Sequence, residues 1–140
     1  MRTYLIDTRY SLDRPEFEAL LYDAQHFHDA DFDALSFDKL SSSVRVRLCN
    51  LVFWDDLTEL NETTYCVEII FRGVQVFRID GRSTLTDSAV LGFKLLEDQA
   101  KLALTFSEIS ITMSRSSSEW ILRKFAPNAL TQQEPPPRLG

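Results

Sequence analysis

Two hydrophobic periods divide this chain. In "YSLDRPEFEALLYDAQHF", Phe17, Leu20, Leu21 and Ala24 recur at helical spacing and form one apolar stripe. Asp13 reads as a cap, Pro15 suits the first turn, and Glu16 and Glu18 sit where the positive end of a helix favours acids. This predicts an N-terminal helix with His26 and His28 at or just past its end. From residue 34 onward the period is two. Leu35 and Phe37 share a face in "ALSFDKL", and Val44, Val46 and Leu48 alternate with Arg45 and Arg47 in "SSSVRVRLCNLVFW".

The later segments continue that alternation. "TTYCVEIIFRGVQVFRIDG" is β-rich, and Gly73 in its middle marks a bulge or a tight turn. "AVLGFKLLE", "AKLALTFSE" and "ISITMS" follow at hairpin distances, with Ile109, Ile111 and Met113 on one face. "SEWILRKF" is expected to be a short last helix capped by Ser118. "DDLTELNE" reads as a polar connection, and "TYLID" as a short strand or a lead-in. The expected fold is α+β: an N-terminal helix packed on a twisted antiparallel sheet of about six strands. Residues 1–126 are expected to form one domain, and 127–140, with "PPP", a mobile tail. Val44, Val46, Leu48, Val67, Ile69, Phe71, Ile109, Ile111 and Met113 are expected to point inward with the helix stripe.

Composition narrows this reading little. The chain has 140 residues, 44% of them hydrophobic and 26% charged, which suits one globular domain with its own core. No run approaches the roughly 18 apolar residues of a membrane span, and the N-terminus lacks an apolar leader segment. A soluble, cytoplasmic protein is the expectation. In that setting Cys49 and Cys66, each inside a strand-like run, read as two free buried thiols, the alternative being a disulfide between neighbouring strands.

Charge is the more informative property. Residues 1–40 hold four cationic and nine acidic residues, so they carry −5 of the net −6. Such a surface repels phosphate backbones and argues against nucleic acid. It would attract a basic protein partner. Asp23, His28, Asp29, Asp31 and Asp33 are therefore the candidate partner-binding residues.

Catalytic chemistry is hard to write. "QHFHDADFD" offers His26 and His28 among three aspartates, but these are the only histidines and no second ligand cluster accompanies them. A structural turn is the reading adopted, with no metal and no cofactor: His⁺ suits a helix C-terminus and Asp stabilises turns. The serine runs lack a nucleophile elbow, and both cysteines lie in runs that look buried, where a thiol is inert. Four glycines supply no phosphate loop, and the paired acids Asp55-Asp56 and Glu97-Asp98 fall in expected turns.

"FHDADFDALSFD" followed by "VEIIFRGVQVFRIDG" resembles small bacterial toxin-immunity proteins of the Imm50-like group. The matching positions are His28, Asp29, Phe71, Gly73 and Val74, within the first 80 residues or so. The resemblance implies a non-enzymatic protein that binds and neutralises a toxin. The alternatives are a small-ligand pocket protein or enzyme, recognisable by an aromatic-lined pocket, and a structural subunit, recognisable by a broad apolar patch.

Overall fold

The computed structural model describes residues 5–54, 64–81 and 89–125. They form β1 (Arg9–Ser11), α1 (Pro15–Asp23), a 3-10 turn (Gln25–Phe27), β2 (Asp31–Asp38), β3 (Ser43–Cys49), β4 (Thr64–Gly81), β5 (Val90–Leu95), β6 (Gln99–Leu104) and β7 (Ser107–Phe125). The α+β expectation is overturned. Strands hold 64% of the described residues and helix 12%, in one seven-stranded antiparallel sheet rather than six strands under a helix. The acidic "DDLTELNE" connection, from Asp55 on, and the proposed tail lie outside the described residues.

Particular segments account for the difference. "SEWILRKF" is not a helix but the second half of β7, laddered against β4 from Ile70↔Glu119 to Thr64↔Phe125. Trp120 and Leu122 enter the core while Glu119, Ile121 and Arg123 take the other face, an alternation too short to outweigh the helical reading. Likewise, β1 has only three residues, too few to show a period, and its partner β7 is distant in sequence. In α1 the N-cap is Arg14, without a side-chain cap, and Asp13 instead meets Arg115 at 3.1 Å.

The strand order is β2-β3-β4-β7-β6-β5, with β1 also beside β7. The two outermost strands of that path meet. Asp31 bridges Ala89, Asp29 N–H donates to the Val90 carbonyl at 2.9 Å, and Val90 N–H donates to the Ala30 carbonyl at 2.9 Å. The sheet therefore curls back on itself at one end. Bending is concentrated where β4 and β7 exchange neighbours. Register shifts from Ile70↔Glu119 to Arg72↔Ser114 and then to Val76↔Thr112, which leaves Arg115–Ser118 as extra residues on β7. Such bulges bend a strand and increase its twist. Gly73 sits here at φ +61°, where a Cβ would stand 3.1 Å from that of Ser114. The glycine thus lets β4 run on as one strand.

Ser118, the expected helix cap, is fully buried in this bulge. Its Oγ donates to the Ser114 carbonyl at 2.7 Å and accepts from Arg72 N–H at 3.0 Å. Ser118→Ala should cost about 1–3 kcal/mol, because a part-buried backbone donor and acceptor both lose their partner. An unchanged urea midpoint would mean that water replaces both bonds.

All nine residues expected to point inward are buried, and Phe17, Leu20 and Leu21 of α1 join them. Phe17 meets Trp120, Phe27 and Phe93 at ring distances of 5.9, 6.3 and 5.8 Å. These rings fill the concave side of the sheet. A void of only about 10 Å³ remains near Val46, Phe71, Phe93 and Ile111.

Candidate functional site

The helix stops at Asp23 and the backbone then turns left-handed. Gln25, His26 and Phe27 have φ of 55°, 55° and 63°, and Asp29 has 69°. Each such non-glycine residue costs roughly 1–2 kcal/mol, so the surroundings must over-determine the turn. They do so at several points. The Phe27 ring is fully buried against Phe93 (5.6 Å), Gln25 Nε2 donates to the Val52 carbonyl (3.2 Å), and Ala30 N–H donates to the Phe27 carbonyl (3.1 Å). With Phe27 locked inward, His26 and His28 on either side are turned to solvent.

Two depressions flank this turn. One, of about 390 Å³, is lined by Tyr22, Gln25, His26, His28, Trp54 and Leu91. Its apolar members are exposed: Tyr22 by 68%, Trp54 by 53% and Leu91 by 50%. The other, of about 260 Å³, lies beyond His26 and includes Lys94, Lys101 and Glu108. Lys94 and Lys101 are direct cross-strand neighbours on β5 and β6.

The predicted acidic residues separate. Asp29 stays at the rim, 3.2 Å from His28 Nδ1, and both are exposed. Asp23 is half-buried at the end of α1. Asp31 and Asp33 are exposed as well, but each is held by a neighbouring side chain. Asn50 Nδ2 donates to Asp31 at 2.5 Å, and Arg47 Nε donates to Asp33 at 2.5 Å. Of the positions carrying the family resemblance, Phe71 is core, Gly73 lies in the bulge and Val74 is half-buried beside it.

Sequence reasoning missed Tyr22, Trp54 and Leu91. Tyr22 carried a signal, as an aromatic one position off the buried stripe of α1. Trp54 and Leu91 are brought to it from distant segments by the fold.

The convex face is charged. Arg72 and Arg9 both reach Glu119 (2.8 and 3.1 Å), Arg45 faces Glu68 (3.7 Å), and Arg123 faces Asp7 (3.3 Å). The hydrogen bond from Arg72 is the main reason that the Glu119 carboxyl titrates below its ordinary range. Arginines alternating along β3 are thus matched by acids from neighbouring strands.

Cys49 and Cys66 are joined in a disulfide, which corrects the free-thiol expectation. The β3–β4 ladder runs from Val44↔Phe71 to Leu48↔Val67, so the next residues in register are the two cysteines, with Cα atoms 4.0 Å apart. The bridge closes the base of the segment that carries Trp54.

Among the described residues, no group of three or more His, Cys, Asp and Glu side chains could hold a metal ion, and no helix is long and apolar enough to cross a membrane. Comparison with protein-family models, with curated proteins and with solved structures finds no match for this chain.

Proposed function

We propose that this chain is a small protein-binding domain that receives a basic partner at the Tyr22–Trp54–Leu91 depression. One observation carries the reading. Exposed Tyr, Trp and Leu side chains from three separate segments line one open surface, and Asp29 pairs with His28 of the same lining. Tyr and Trp are the commonest anchors of protein interfaces, and their ring faces also attract Arg and Lys. The left-handed turn presents His26 and His28 at fixed positions beside them. In line with its resemblance to Imm50-like proteins, the partner class is a basic toxin and the chain its non-enzymatic inhibitor.

Asp29 and Asp23 accelerate association with such a partner, an effect screened by salt over about 10 Å at 0.1 M. Asp33 contributes less, because the Arg47 guanidinium offsets its charge locally. A cytoplasmic setting is the one in which the cysteines would be thiols, whereas the disulfide fits oxidising surroundings. The ligand-binding alternative would use the second depression, where Lys94 and Lys101 outnumber Glu108 and, with His26, suit an anion.

The two tryptophans report on the proposal separately: Trp54 is exposed and Trp120 is fully buried. Where a neighbouring gene encodes a basic protein, titration with that protein should therefore blue-shift the emission. Trp54→Ala and Tyr22→Ala should each weaken binding about tenfold or more, with the unfolding midpoint nearly unchanged. Full affinity in both variants would remove the depression from the interface.

A further inference from the structure

We propose that β4 pairs with β4 of a second copy of this chain, through Phe77–Gly81, to form a two-fold symmetric dimer with one continuous antiparallel sheet. The first half of β4 is enclosed, with β3 against Val67–Phe71 and β7 on its other side. From Val76 to Gly81, among the described residues, only β7 pairs with it. Among the described residues no strand ladders onto its other edge. The Val74 N–H, which donates to the Ser42 carbonyl at 2.9 Å, marks where backbone pairing with the β2–β3 hairpin ends among the described residues, and past it the hairpin meets β4 through the Phe37 ring on Phe77. Beyond that point Val76 is 46% and Ile79 40% exposed, and Arg78, Asp80 and Gly81 are exposed as well. An exposed, apolar strand edge of this kind is a ready template for pairing with another chain.

The segment is complementary to itself. Read antiparallel about a two-fold axis through Ile79, Phe77-Arg78-Ile79-Asp80-Gly81 sets Arg78 opposite Asp80 of the second copy, and Asp80 opposite its Arg78. Ile79 meets Ile79, and each Phe77 ring lies over a Gly81 that has no side chain to oppose it. Directly opposed residues share a face of the sheet. Phe77 and Ile79 lie opposite Ile111 and Ile109 on the concave side, where Phe37 stacks on Phe77 at 6.1 Å. The apolar strip therefore continues through the axis on one face, and the four charges close it on the other. Within one chain, Arg78 and Asp80 already pair at 3.2 Å in an exposed contact, so pairing across the axis exchanges the two intrachain pairs for two between chains.

Other registers lack this match. An axis through Arg78 or Asp80 opposes like charges, and an axis through Phe77 sets Arg78 against Val76. Register in this pairing is thus selected by charge, within the self-complementarity that a two-fold interface requires.

Sedimentation velocity of the full chain over a concentration series tests this, with R78E and D80R beside it. Each single variant places like charges in opposition twice and should raise the dimer dissociation constant at least about tenfold. An equimolar mixture of the two should dimerise again, because every new charge then faces its opposite. Concentration-dependent amide protection confined to residues 77–81 of the unsubstituted chain gives the same answer without any substitution. A chain that stays monomeric throughout, a dimer that survives both substitutions, a mixture that fails to associate, or protection that maps elsewhere would overturn the proposal.

Discussion

Ile69→Ala is expected to lower the free energy of unfolding by about 2–5 kcal/mol, from lost burial together with the cavity left behind. Ile69 is fully buried in the middle of β4, between Val46 on β3 and Trp120 on β7. Both neighbours are held by their own ladders, so neither can follow the missing methyl groups inward. A void already lies beside Val46, and the new cavity would open close to it. Chemical denaturation of the variant and the unsubstituted chain, compared at equal slope, gives the difference directly. A cost near zero would mean that β4 is displaced by one residue, because such a slip moves every side chain to the opposite face.

Loss of the Cys49–Cys66 bridge should have the next largest effect, about 3 kcal/mol for a loop of this length. The cysteines are 17 residues apart, and the segment between them contains Leu51 and Phe53, both buried, and Trp54. Without the bridge the unfolded chain gains the freedom that the closed loop denies it. The folded chain keeps the β3–β4 ladder but loses the covalent tie at its end. Thermal unfolding with and without a dithiol reductant measures the stability term. The double variant Cys49→Ala, Cys66→Ala should reproduce the reduced protein and no longer respond to reductant. Because the same tie positions Trp54, reduction should also weaken partner binding at the depression. Equal stability in both redox states, with two titratable thiols in the denatured protein, would return the cysteines to the free state expected from composition.

How much was legible in the residues themselves depends on the range of the interaction. The alternation of Val44, Val46 and Leu48, of Val67, Ile69 and Phe71, and of Ile109, Ile111 and Met113 is a local pattern, and each of these residues is buried. The stripe of Phe17, Leu20 and Leu21 is equally local, and it forms α1. Side-chain direction repeats within a few residues, so burial could be read before any partner strand was known. The fold class could not, because residues 118–125 carry both a cap-like serine and a weak alternation. The ladders with β4 and β1 make them strand. Charge was legible as a sum but not as a surface: Asp31 and Asp33 belong to the acidic third, yet Asn50 and Arg47 hold them in exposed hydrogen bonds. The disulfide needed the β3–β4 register, which no spacing of 17 residues implies. The depression needed Tyr22, Trp54 and Leu91 to meet around a turn whose strain is met by the burial of Phe27. Composition and periodicity act along the chain and determine what is buried. Pairing acts across it, and only the closed sheet decides which exposed residues become neighbours.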